Sequence, residues 1–387
     1  MIRYLAYVGL DFLITPNNEI YFIEANPSAF GVYFIDIMTR YLRVNGVSRD
    51  KYQHNDGFTD KFVDMLIKFA IMKKGYFPSK IGLYFDQHLP YFLQDEYIYI
   101  KNSIEARGYR CILFTDRQLV VKDGEVYVRY GGSPEHIDLV INRGSNLPNN
   151  IDTPIVNSPK VVNIVGNKIY SNYVVSKLVM DEGLHSKGLK VPESYLINDY
   201  DDLLKYSKVF SDSGLFLKPA LSHGGEGIIV ARNRRHLLRK VARLGKKWFR
   251  KYSPFILQEW IKVMPFLSGD NRYYAYDVRV YCLIGEPIGG FARRAPKPIN
   301  SKNSPLEKVY VSDITSGGSM INMIIGCNEV KSVKIGGLYI RSKDRIIFID
   351  DNALCIPKDL LNKIYNYAGI ITKELDNKLR DILELGN

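Results

Sequence analysis

Apolar positions along the chain follow two rhythms, and the places where one gives way to the other outline its elements. GLDFLITPNNEIYFIEAN (9–26) reads as two strands around Asn17-Asn18, residues that tolerate positive φ in a tight turn. FIDIMTRYL (34–42) switches to helical spacing, and a polar stretch at 48–57 precedes a helix predicted over 59–73. Strands at 78–86, 109–115 and 136–144, a helix at 94–107 and a hairpin at KDGE (122–125) then alternate as in a small parallel-sheet unit spanning 77–150. Farther on come a helix from Lys168, strands ending at Lys218 and at Glu259, a hairpin (276–296) turning at Gly285, and a long amphipathic helix over 359–385. The fold class is α/β.

The first hairpin carries a charge problem. With Asn17 and Asn18 as the turn, paired positions sum to 35, which sets Asp11 opposite Glu24 and leaves Asn26 two residues on, on the same face. Facing carboxylates repel unless positive charge lies between them. A hard cation supplies it, and magnesium suits a site of few carboxylates that takes its remaining ligands from water and phosphate. The alternative is a solvated pair at a sheet end. Apolar residues on both sides, Leu13 and Phe22 on one and Phe12, Ile14, Tyr21 and Ile23 on the other, argue for burial instead.

FLKPALSHGGEGIIV (216–230) places Lys218 before a loop of Ser222, His223, Gly224, Gly225, Glu226 and Gly227. Closely spaced glycines turn backbone N–H groups toward phosphate oxygens, and the lysine adds charge. It is no Walker A loop, because lysine precedes the glycines and a strand follows. A plain hairpin is the competing reading. Lys168, the strand positions Gln258 and Glu259, and the hairpin residues Asp277, Arg279, Arg293 and Arg294 make phosphate handling the better one, since arginines on one strand pair suit a transferring phosphoryl group. The middle unit has DQHLPYF after its first strand, so no dinucleotide fingerprint, and Asp86, His88, Tyr91 and Arg143 stand at its substrate-facing edge or serve as loop and cap residues.

Net charge is +12, with its densest basic run in RNRRHLLRKVARLGKKWFRK (232–251). Such a run attracts anions in general, or is a solvated helix with Leu237, Leu238, Val241 and Leu244 turned inward. No zinc spacing or compact recognition motif accompanies it, which argues against nucleic acid as partner. Cys111, Cys282, Cys327 and Cys355 are widely spaced, as expected of separate buried thiols in a reducing compartment. No apolar run reaches membrane-spanning length and no signal peptide opens the chain, so a cytoplasmic monomer or homodimer without membrane contact is expected.

Together NKIYSNYVVSKL, VPESYLI, FLKPALSHGGEGIIV, ILQEWI, DVRVYCLIGEPIGGFARR, TSGGS and the first hairpin resemble the ATP-grasp superfamily, especially carboxylate-amine ligases of the D-alanine–D-alanine ligase and ribosomal-protein glutamate ligase type. The resemblance covers nearly all of the chain outside 46–76. It implies two subdomains clasping ATP beside a small pre-ATP-grasp domain. It also implies Lys168 and Lys218 on the phosphates, the glycine loop closing over them, Gln258 and Glu259 at adenine, and Arg279 with Arg293 or Arg294 at the acyl phosphate or substrate carboxylate. Asp11, Glu24 and Asn26 match the family's magnesium ligands. The implied reaction phosphorylates a carboxylate from ATP and lets an amine displace the phosphate. Asp313 departs from the asparagine usual before TSGGS, and is a further metal ligand or a change in substrate handling.

The family places its metal strands last, and here they come first. FIDDN (348–352) echoes FIEAN, but its hairpin turning at Lys343 and Asp344 would put Tyr339 where Asp11 stands. We therefore expect circular permutation, with 1–45 as the metal-binding part of the core, 46–76 a linker and helix, 77–150 the pre-ATP-grasp domain, 151–260 the lid and phosphate loop, and 261–387 the rest of the core. That order requires the chain ends to lie close. The rival is a truncated duplicate at the front, with a degenerate metal site at Asp350 and Asn352. Two other functions stay open at this point: a kinase that stops at phosphoryl transfer, and a nucleotide-binding or nucleic-acid-binding protein without catalysis.

Overall fold

A computed structural model describes residues 4–29, 31–85, 91–144, 147–210, 212–222, 224–314, 317–341 and 346–385. Among these, the largest sheet has eight strands in the order Leu189–Lys190, Ile20–Asn26, Tyr7–Ile14, Tyr276–Leu283, Glu286–Arg294, Ser319–Ile321, Ile346–Ile349 and Leu338–Arg341. The first hairpin therefore lies inside the sheet. Tyr7–Ile14 pairs antiparallel with Ile20–Asn26 on one side and with Tyr276–Leu283 on the other.

Both faces of this sheet are covered. Helices Lys168–Asp181 and Lys358–Leu385 pack on one, burying Leu10, Phe12 and Phe22, and helices Val32–Val44 and Phe58–Lys74 pack on the other against Tyr281 and Phe291. Double coverage is the physical reason Tyr7–Ile14 and Tyr276–Leu283 carry buried apolar residues on both faces. Each buried phenylalanine contributes about 1.5–3 kcal/mol.

The register sets Asp11 opposite Glu24, as the sequence predicts, but through a different turn. Thr15–Glu19 close the hairpin, with Asn18 alone at positive φ (60°). Past the turn, Phe12 pairs with Phe22, and a bulge at Ile23 restores the predicted pairing from Asp11 onward. Phe12 and Phe22 consequently share one face, ring centroids 6.1 Å apart, where unbroken alternation puts them on opposite faces.

The second sheet, Ser194–Ile197, Phe255–Glu259, Leu215–Pro219 and Ile229–Ala231, is backed by the basic helix Arg234–Tyr252. Leu237 and Val241 face inward as expected, whereas Leu244 is exposed, at the end of the regular helical segment that Gly245 (φ 81°) breaks. The third sheet is parallel, ordered Arg110–Phe114, Lys80–Tyr84, Leu139–Asn142 and Ile155–Val156. The hairpin at 122–125 turns on Asp123 and Gly124, both at positive φ.

Two ties fix the first hairpin to distant chain. Asp376 of the last helix accepts from the backbone N–H of Tyr4 (2.8 Å) and Leu5 (2.7 Å), so the two described ends meet. The buried Asn157 side chain accepts from Ala6 N (3.0 Å) and donates to Pro27 O (2.6 Å). The expectation of four separate thiols fails for one pair, since Cys327 and Cys355 form a disulfide with Cα atoms 6.2 Å apart. Residues 28 apart in sequence are brought together by the pairing of Met323–Ile325 and Lys331–Lys334 with Asn352–Ile356, which spacing does not reveal. Cys111 and Cys282 are buried free thiols, pushed up to about 12 by burial. No helix among the described residues is long and apolar enough to cross a membrane.

Candidate active site

A cavity of ≈ 820 Å³ lies between the large sheet, the second sheet and the edge of the parallel sheet. Asp11, Glu24, Asn26, Lys168, Lys218, Ser222, Gly224, Gly225, Glu226, Gln258, Glu259, Arg279 and Arg293 all line it. Residues more than 260 positions apart thus face one space. Arg143 and Asp313, raised by the sequence without a firm role, also line it. Asp86, His88 and His223, and the side chain of Tyr91, lie outside the described residues.

Each cationic group is set by its local fold. Asn167 caps the helix Lys168–Asp181 by accepting from Ile169 N (3.0 Å) and Tyr170 N (3.4 Å), which points Lys168 at the loop. The Lys168 ammonium donates to Ser222 O and lies 3.9 Å from Glu24. Lys218 projects from strand Leu215–Pro219 into the same space; enclosure lowers it to about 8, with repulsion from Lys168 adding to the shift and Glu24 opposing it. Gly227 holds φ +72°, and a Cβ there would meet Pro219 at 2.8 Å and Tyr252 at 2.9 Å, so the loop needs glycine at this position.

The charge expected between Asp11 and Glu24 comes partly from the protein. Arg279 donates to both Asp11 oxygens (2.6 Å each), and Arg293 donates to Asp11 (2.7 Å) and to Asp277 (2.8 and 2.7 Å). Burial opposes ionisation of Asp11, but Arg279 and Arg293 outweigh it and hold the carboxyl down to about 2. Asp277 moves the other way, up to about 7, through burial and its proximity to Asp11 despite Arg293. Two carboxylates sharing arginines are thus pushed apart in acidity.

Arg294 stands elsewhere. Consecutive strand residues point to opposite faces, so with Arg293 in the cavity Arg294 turns away. It donates to Asp350 (2.7 Å) over the Tyr274 ring (4.0 Å). Asp350, fully buried, also accepts from Ser268 Oγ (2.6 Å), Gly269 N (2.9 Å) and Asn352 N (3.1 Å), and Asn352 donates to Leu267 O (2.8 Å). The FIDDN hairpin keeps its predicted register, Tyr339 opposite Phe348, and it lies away from the cavity.

Sequence reading missed the apolar wall. Phe216, Ile228 and Ile261 line the space beside Gln258 and Glu259, an apolar slot of the kind a planar base fills. Alternation along 216–218 was the available signal, since Phe216 shares its face with Lys218. Gln258 spends its amide on Ser194 Oγ (3.0 Å) and Glu259 accepts from Glu193 N (2.9 Å).

No protein-family model matches the chain. A gamma-glutamylcysteine synthetase, so described provisionally, from Methylobacillus flagellatus KT superposes over 100% of this chain and 91% of its own, with TM-score 0.56 and 10% identity. The chain shares the fold of that structure, a mixed-sheet α/β architecture consistent with the two-subdomain ATP-grasp type. A RimK domain ATP-grasp protein of Sphaerobacter thermophilus covers 76% of this chain and 99% of its own at 12% identity and TM-score 0.30, too loose a superposition to argue from. Glutathione synthetase of Agrobacterium fabrum is 24% identical over 219 residues, 50% of this chain and 63% of that protein. This chain matches less than two thirds of that curated relative's length.

Proposed function

We propose that this chain is an ATP- and magnesium-dependent carboxylate-amine ligase, ADP-forming, whose core is circularly permuted. The observation that carries the reading is that one cavity gathers two lysines, a glycine loop, an apolar slot, an acid pair and two arginines from opposite ends of the chain. The glutathione synthetase relative and the shared ATP-grasp fold support it.

The oxygen-rich donor set of Glu24 and Asn26 fits a hard cation, and Asp11 completes it once its arginines turn toward substrate. Among the described residues no group of three or more His, Cys, Asp or Glu assembles, so phosphate oxygens and water would fill the remaining positions. Magnesium held there supplies charge neutralisation to the transferring phosphoryl group. Lys168 and Lys218 bind the phosphates, and the glycine loop excludes water from them. Arg279 and Arg293 orient the substrate carboxylate, whose oxygen attacks the γ-phosphorus as ADP leaves. The amine then attacks the acyl carbon, phosphate departs, and the amine gives up a proton.

The permuted order rests on the central place of Tyr7–Ile14 in the sheet and on the meeting of the chain ends at Asp376. The test is a screen of amino acids and short peptides for ATP-dependent ADP release, with hydroxylamine as trap. Hydroxamate formation that disappears in Glu24→Gln is expected. ADP release with no hydroxamate and no amide product would instead mark a kinase, and no magnesium-dependent turnover with any substrate would leave only binding.

A further inference from the structure

The charge of this protein is concentrated in one helix. Residues 232–251 hold ten of the 53 lysines and arginines and none of the 41 acids, so the rest of the chain carries 43 basic residues against 41 acidic ones. The cavity itself does not hold the excess, being lined by six acids and five basic residues.

A helix kept merely soluble alternates signs at i and i+4. Here Arg235, Arg239 and Arg243 follow one another at that spacing, all exposed, and Lys246, Lys247 and Arg250, exposed as well, carry the positive charge on past the break at Gly245. Among the described residues none of these six lies within ion-pair distance of a carboxylate, so the face is one of mutual repulsion awaiting an anionic partner. At its edges the helix touches the cavity mouth. Tyr252 donates to Glu226 of the glycine loop (2.6 Å), and Lys240 pairs with Glu307 (2.7 Å), on the short helix leading into Tyr310, Val311 and Asp313.

We propose that the exposed face of this helix docks an acidic polypeptide and delivers it to the cavity mouth as substrate. The proposal rests on the ligase reading above, because only a polymer bearing carboxyl or amino groups gives that chemistry something to join. Nucleic acid is less well served. The basic face presents no exposed aromatic for base stacking, Phe249 being buried and Trp248 packed on Phe255 (5.5 Å). An anionic membrane is also a poorer fit, since Leu237, Val241 and Phe249 are spent in the lid core and cannot insert.

The test uses the full chain and a fluorescein-labelled oligo-glutamate peptide, read by anisotropy across a salt series. Binding should weaken steadily with salt, and Arg239→Glu/Arg243→Glu/Lys247→Glu together should weaken it about tenfold or more. The same variant should keep its thermal shift with MgATP, which shows that it folds. Oligo-glutamate affinity unchanged by the variant overturns the proposal, as does binding of oligouridylate or phosphatidylserine vesicles in place of the peptide. Should the ligase reading alone be wrong, the peptide still binds and the variant still loses it, but no ADP is released.

Discussion

Lys218 offers a direct measurement of the site. Enclosure in the cavity lowers its ammonium to about 8 from an ordinary 10.5, with Lys168 adding repulsion. A triphosphate favours the charged form, so binding should draw a proton onto whatever fraction of Lys218 is neutral. That fraction is about 0.1 at pH 7 and about 0.9 at pH 9. Calorimetry in buffers of different ionisation enthalpy should therefore give an uptake near those values. The Kd for MgATP should rise about tenfold over the interval, because only the charged lysine binds well. Lys218→Met should bind weakly at every pH and take up no proton. Equal proton uptake in wild type and Lys218→Met, or a Kd flat from pH 7 to 9, would refute the reasoning.

Three further outcomes follow from named contacts. Arg294→Met should lower stability to urea by about 3–5 kcal/mol by stranding buried Asp350, while MgATP affinity stays unchanged; a selective loss of affinity would put Arg294 back in the site. His54, whose two enclosed ring nitrogens have no hydrogen-bond partner among the described residues, is lowered to about 4 from 6.5 by burial and then Lys61. Its neutral form favours folding, so stability present above pH 6.5 should fall by up to about 3 kcal/mol as pH drops toward 4, and His54→Phe should flatten that part of the denaturation profile. Gly227→Ala should raise KM for ATP, since φ +72° costs about 1–2 kcal/mol and the Cβ collides with Pro219 and Tyr252; unchanged kinetics would mean the loop adopts another shape when bound.

Much of the site was legible because its chemistry is local. Opposed carboxylates in a buried hairpin, a lysine before glycines, and arginines on a strand pair each announce themselves within a few residues. What escaped depended on partners far away in sequence. The bulge at Ile23 reversed the facing of Phe12 and Phe22 while leaving Asp11 opposite Glu24. The neutralisation of Asp11 by Arg279 and Arg293 joins residues 268 and 282 positions apart. Strand alternation was enough to separate Arg293 from Arg294 beforehand, and grouping them by adjacency hid it. The Cys327–Cys355 bond is likewise a consequence of tertiary pairing.

The central place of Tyr7–Ile14 in the large sheet bears on how the protein is made. The strand leaves the ribosome some 268 residues ahead of the part of its neighbour Tyr276–Leu283 with which it is in register. At about 5–20 residues per second the hairpin waits roughly 13–54 s for that partner. Through that interval Leu10, Phe12 and Phe22 have neither the sheet's other half nor the last helix to cover them. Synthesis rate and chaperone supply, more than final stability, should therefore govern the yield of native protein. Slowing translation ahead of residue 276 should lengthen the vulnerable period and increase aggregation.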